Sequence, residues 1–149
     1  MSAAYESVAE LLGIAAGPDR RTAAASPFDV IARIERGLPV AALDRVARLV
    51  APDDANLKYR IVSRATFARR KKRQGQRLTA DESDRLARLA KVWAFAREVW
   101  GGDAEARAFL LRPHMMLEGR RPIDVALGTE LGARLVEDIL GRLKYGSAA

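Results

Sequence analysis

An all-α fold follows from three features of this chain. Ala, Leu and Arg dominate while β-branched runs are rare. Apolar residues recur at three- and four-residue spacing almost throughout. Capping residues followed by Pro or Glu mark several helix starts, and Gly or Pro marks the stops. At 149 residues such a chain buries roughly 70% of its unfolded surface, enough for one core or two small ones. An apolar fraction of 49% excludes a disordered tail-like chain.

Taken in order, the spacing predicts a short helix over 5–12, ended by Gly13, and a linker over 15–25. Ser26 as N-cap with Pro27 behind it opens a helix that stops at Gly37; Phe28, Ile31 and Ala32 are expected on its inward face. Pro39 opens another, lined by Leu43, Val46, Ala47 and Val50 and terminated by Pro52. Asp53 or Asp54 is expected to cap a brief helix to Val62 that buries Leu57 and Ile61. Ser63 caps the next, SRATFARRKKRQG, broken at Gly75. Two short helices joined by a tight turn have helix-turn-helix spacing.

Thr79 and Glu82 form a capping box for a long helix ending at Gly101. Leu86, Leu89, Ala90, Trp93, Ala96 and Trp100 share one arc, widened by Val92, Phe95 and Val99. An arc that broad predicts a central helix packed on more than one side, with both tryptophans in the core. Asp103 is expected to cap a helix reaching Leu111. A turn or two follows over 122–127, and Thr129 caps a last helix over 130–143, beyond which Tyr145 and Gly146 break away. Met115 and Met116 are expected to fill gaps over Trp93 or Trp100.

Charge divides the chain. Residues 55–78 carry nine Lys or Arg and no Asp or Glu. Subtracting those nine from a net charge of +7 leaves −2 for the rest. Residues 79–149 hold eleven basic and eleven acidic side chains. The nine cations lack acidic i±4 partners within their segment, and a field so concentrated suits a polyanion, most simply nucleic acid phosphate.

Catalysis finds little support. With no Cys there is no disulfide framework and no thiolate metal site. His114 is the single histidine, expected in a structural role, so no histidine pair or triad can form. No Gly-rich phosphate loop and no GxGxxG occur. No enzyme activity, cofactor, metal or small-molecule substrate is therefore expected. The apolar stretches fall far short of the ~20 residues needed to span a bilayer. The N-terminus lacks a basic n-region, so a cytoplasmic protein without membrane contact is expected.

Four stretches carry a resemblance. ESDRLARLAKVWAFAREVWG at 82–101 and RRPIDVALGTELGARLVEDILGRLKYG at 120–146 resemble the toxin-binding domain of the Xre/MbcA/ParS antitoxins of type II toxin–antitoxin modules. RGLPVAALDRVARL at 36–49 and SRATFARRKKRQGQRLT at 63–79 resemble that family's helix-turn-helix region. The sequence departs at His114-Met115-Met116, where a more polar turn is expected, and at Gly128, where Asp is usual. The resemblance implies an antitoxin and autorepressor, dimeric, bound to operator DNA. Its implied toxin partner is commonly a RES-domain enzyme that destroys NAD, or a RES-like ADP-ribosyltransferase. The expected organisation is an N-terminal helix and linker (1–25), a DNA-binding region (26–78) and a toxin-binding domain (79–149).

Candidate residues follow. With Phe67 turned inward, Arg64, Ala65, Ala68, Arg69 and Lys72 face outward. Arg64, Thr66 and Arg69 are candidates for groove contacts, because the first turns of a recognition helix reach base edges. Arg70, Lys71, Lys72, Arg73 and Arg77 are candidates for phosphates. On the last helix Leu131, Gly132, Leu135, Val136, Ile139, Leu140 and Leu143 fill about half the circumference. Its edge at Val136 and Leu140 is expected to be open to a partner, and Gly132 to admit another backbone closely. Arg134, Glu137, Asp138 and Arg142 form a mixed-charge rim. The resemblance adds Lys144, Tyr145 and Gly146 as a tail reaching the toxin's active-site mouth. Two other readings are open: a helix-turn-helix regulator without a toxin, its C-terminal half used only for dimerisation, and a module whose basic helix meets an acidic protein.

Overall fold

In the computed structural model the described residues are 3–14, 26–73 and 75–146, with side chains from residue 7 onward. The linker expected over 15–25 lies outside them. Eight α-helices are described: α1 (Ala3–Leu11), α2 (Pro27–Arg36), α3 (Val40–Val50), α4 (Arg64–Lys71), α5 (Ala80–Trp100), α6 (Asp103–Leu111), α7 (Pro122–Gly128) and α8 (Glu130–Tyr145). Short 3-10 turns occupy Leu57–Arg60 and Met115–Leu117. Extended pairing among the described residues is limited to the isolated bridges Pro39–Arg77 and His114–Arg120. The all-α expectation holds. Two compact units divide within α5, between Ala90 and Lys91.

Local chemistry accounts for the helix starts. The Ser26 hydroxyl accepts from the Asp29 N–H while the Asp29 carboxylate accepts from the Ser26 N–H at 2.7 Å, a reciprocal box ahead of Pro27. Thr79 and Glu82 do the same for α5, at 3.1 and 2.8 Å. Ser63 and Thr129 cap α4 and α8 by accepting from the backbone N–H three residues on. Asp103 departs from expectation. Gly102 precedes α6 without a side-chain cap, and the Asp103 carboxylate instead pairs with Arg97 and, at 3.8 Å, with Arg107. Nor does Asp53 or Asp54 cap a helix at 57–60. Asn56 precedes a 3-10 turn there without a side-chain cap, and Asp54 accepts from the Asn56 N–H.

In the first unit Leu38, Leu43, Val46, Val50, Leu57, Ile61 and Phe67 are buried, joined by Leu86 and Leu89 of α5. α2 turns the opposite way from expectation. Val30 is buried, Ala32 half-buried, while Phe28 is 79% exposed and Ile31 also faces out. Apolar residues occur on several sides of that helix, so periodicity alone did not select the inward one.

In the second unit Trp93, Ala96, Leu110, Ile123, Ala126, Val136, Ile139 and Leu140 are buried. Trp100 is not; it lies in the last turn of α5, 42% exposed, its ring 6.0 Å from that of Phe109. Met115 and Met116 do not fill gaps either, being exposed in the 3-10 turn, Met115 by 92%. α8 runs two residues beyond its expected end, so Tyr145 is helical and only Gly146 breaks away, at φ 79°.

The close approach expected at Gly132 is present. A Cβ there would collide with the Val125 carbonyl oxygen on α7. Gly132→Ala is therefore expected to destabilise the chain by about 1–3 kcal/mol through backbone displacement. Gly128, at the end of α7, has open space around it, and Gly128→Ala should stay within about 1 kcal/mol of the parent. Denaturant midpoints of the two variants check the contrast; equal midpoints would refute it.

Candidate nucleic-acid and partner-binding surfaces

α4 is short and carries one buried side chain, Phe67. That single anchor sets the rest of its surface. Arg64, Ala65, Ala68, Arg69 and Lys72 are all exposed on the other sides, as expected from the spacing. Lys71, Arg73 and Arg77 are exposed as well. Thr66 is half-buried and its hydroxyl bonds to that of Ser63 at 2.8 Å, which makes it part of the cap.

The nine cations are not all alike. Arg70 is largely buried and its guanidinium pairs with the carboxylate of Glu82. Lys58 pairs with Asp44 at 3.2 Å, and Asp44 also holds Arg48 at 3.0 Å. Carboxylates from α3 and α5 thus offset two charges that find no partner within their own segment. Arg69, Lys72, Arg73 and Arg77 are exposed with no carboxylate partner among the described residues. Those four are thus open to an external anion in a way that Arg70 is not.

Glu82 carries a pKa shift. Burial draws its carboxyl upward, but the Thr79 N–H and the Arg70 guanidinium outweigh that effect and hold it below the ordinary 4.5. Beside Arg70 lies a cleft of about 530 Å³ whose lining includes Val40, Asp44, Arg45, Arg48, Phe67 and Lys71. The two α3 arginines escaped the sequence reading, because nothing local to residues 45–48 announces that α3 lies beside α4.

α8 supplies the second surface. Ala133, Val136, Ile139 and Leu140 are its buried side. Val136 and Leu140, expected at an open edge, are fully buried and are not available to a partner. Gly132 lets α7 close over that side of the helix. The outward stripe is instead Leu131, Leu135, Asp138, Arg142 and Tyr145, at spacings of four, three, four and three residues. Leu131 and Tyr145 are 78% and 75% exposed, with Arg134 exposed alongside. Glu137 is engaged by Lys91 at 3.4 Å. Lys144 folds back to Glu98 on α5, and that hydrogen bond raises its pKa above the usual lysine value. A shallow cleft of about 340 Å³ adjoins the stripe between Arg120, Asp124, Val125, Leu131 and Leu135.

His114 takes a local role, its Nδ1 accepting from the Met116 N–H at 3.2 Å and its ring lying edge-on to Phe109. No cluster of potential metal ligands occurs among the described residues, and no described helix is long and apolar enough to cross a membrane.

Known proteins match this arrangement unit by unit. Residues 29–91 match the antitoxin Xre-like helix-turn-helix domain, and residues 95–146 the antitoxin Xre/MbcA/ParS C-terminal toxin-binding domain. An antitoxin Xre of Pseudomonas putida is 32% identical over 124 residues, covering 82% of this chain and 75% of that one. The chain belongs to the Xre antitoxin family. An antitoxin Xre of Yersinia enterocolitica is 39% identical over 82 residues, a match spanning 54% of each chain. One from Photorhabdus laumondii is 28% identical over 114 residues, 76% of each. This Xre-family member is an antitoxin of a toxin–antitoxin system, with a helix-turn-helix DNA-binding domain ahead of a toxin-binding one.

The Arg70–Glu82 pair makes a pH-dependent contribution to stability. Because the folded-state pKa of Glu82 is depressed, that contribution is complete above the ordinary carboxylate value and fades as pH falls through the lowered one. Glu82→Gln is expected to lower the denaturant midpoint at neutral pH, and the gap to the parent should close in acid below that pKa. A gap that persists unchanged in acid would refute the assignment.

Proposed function

We propose that this antitoxin neutralises a RES-domain, NAD-degrading toxin by covering the entrance to its active site, and represses its own operon through α4. The observation that carries the toxin half is the outward stripe of α8. Two leucines and a tyrosine stand exposed there among Arg134, Asp138 and Arg142, and the match to the toxin-binding domain runs through the same helix. Exposed apolar anchors interspersed with charged side chains suit a protein interface. Tyr145 ends the stripe with a large apolar face and a polar tip, suited to an anchor at a partner's cleft. Gly146 follows it out of the helix. Inhibition by occlusion requires no catalysis and no cofactor in the antitoxin. The choice of a RES-domain toxin rests on the resemblance of residues 82–101 and 120–146 to antitoxins that commonly pair with such enzymes.

Repression rests on the exposed cations of α4 and the turn after it. A homodimer would set two such helices on one operator, and two weak contacts combine through effective concentration. If about five phosphates are neutralised, log K falls against log salt with a slope near −4.5.

Expression of the adjacent gene alone should be toxic and deplete NAD, and co-expression of this chain should restore both growth and NAD. Truncation after Leu143 is expected to abolish rescue while sparing DNA binding; retained rescue would overturn the occlusion mechanism. Charge reversal at Arg69 and Lys72 should abolish salt-dependent operator binding and leave rescue intact.

A further inference from the structure

Arg64, an exposed cation of this surface, is held at two points. It is the first residue of α4, directly after the Ser63 cap. Its guanidinium lies 4.2 Å from the centre of the Tyr59 ring, and its Nη2 donates to the Asn56 side-chain oxygen at 3.0 Å. Tyr59 is itself fixed, edge-on to the buried Phe67 ring with centroids 6.0 Å apart. Asn56 precedes the 3-10 turn Leu57–Arg60, Tyr59 lies in it, and Arg64 opens α4. An exposed arginine otherwise samples many rotamers and loses that freedom on binding.

We propose that Tyr59 and Asn56 are positioning residues that hold Arg64 in one orientation to read a guanine in the major groove. The inference rests on α4 being the DNA-reading helix. Three considerations support it. The N-terminal end of a recognition helix is the part that reaches base edges. The ring contact and the Asn56 bond together restrain the guanidinium, and restraint matters for the paired O6 and N7 acceptors of guanine, whereas a phosphate accepts from many directions. The Asn56 bond occupies only part of the guanidinium's donor set, leaving further N–H groups for the base. Arg69, Lys72, Arg73 and Arg77 show no comparable restraint and serve the backbone.

The test is a selection of duplexes from a random pool with the full-length chain, followed by titrations of the selected site and of single-base-pair substitutions in it. The parent should select sites with a guanine whose replacement costs about tenfold or more in affinity. Arg64→Ala should abolish that preference. Tyr59→Ala and Asn56→Ala should weaken it about tenfold while leaving the salt slope unchanged, because no phosphate contact is lost. Tyr59→Phe, which keeps the ring, should behave as the parent.

A role for Tyr59 in packing alone would lower affinity for all sequences, and by the same factor in an Arg64→Ala background; positioning predicts no further loss there. Asn56 is exposed, so Asn56→Ala decides the matter should Tyr59→Ala unfold. A guanine preference that survives Asn56→Ala and Tyr59→Ala, or selected sites without a preferred guanine, would overturn the proposal. A parent chain with no salt-dependent duplex binding would overturn the DNA reading itself, and this inference with it.

Discussion

Ser83 is fully buried, and its hydroxyl accepts the Leu38 N–H at 2.8 Å. Around this bond the chain between α2 and α3 is clasped to the chain ahead of α5. Leu78 donates to the Leu38 carbonyl at 2.7 Å and Val40 to the Gln76 carbonyl at 3.2 Å. Gly37 stands at φ 94° so near the Leu78 carbonyl that a Cβ would strike it, which makes glycine obligatory there. A buried donor without a partner costs about 1–3 kcal/mol, so the clasp closes as a set. One residue before Ser83, Glu82 receives both the Thr79 N–H and Arg70. The basic helix thus has its C-terminal end held by α5 and its middle by Phe67.

That clasp answers a difficulty posed by the charge pattern. A segment with nine cations and no anion repels itself, and a helix with one buried residue has little apolar area to resist the repulsion. The fold resolves this by bringing carboxylates from elsewhere to the two cations nearest the core, Lys58 and Arg70. The cations furthest from the core stay exposed, where an external anion can offset them. The cations that help hold the fold and those left exposed are therefore different members of one charge run.

α8 shows a comparable division on an apolar helix. Its inner side packs in the second unit, helped by the missing Cβ of Gly132. Its outer stripe carries leucines and a tyrosine that this packing leaves exposed. Such residues lower solubility unless a partner covers them, so their presence beside alternating charges is informative about binding.

Much of this was legible in the primary structure because it depends on neighbours along the chain. Fold class, the box at Thr79, the caps at Ser26, Ser63 and Thr129 and the tight approach at Gly132 all follow from features local in the sequence. Which side of a helix faces the core does not follow where apolar residues occur on several sides. Hence Phe28, Val136 and Leu140 took positions opposite to expectation, whereas Trp100 shares the arc of buried Trp93 and is exposed because it ends α5. The pairing of Arg70 with Glu82, the seat of Arg64 on Tyr59 and the nearness of Arg45 and Arg48 to α4 were decided only by tertiary packing. Contacts between residues distant along the chain, or across a turn of irregular geometry, have no periodic trace in the sequence.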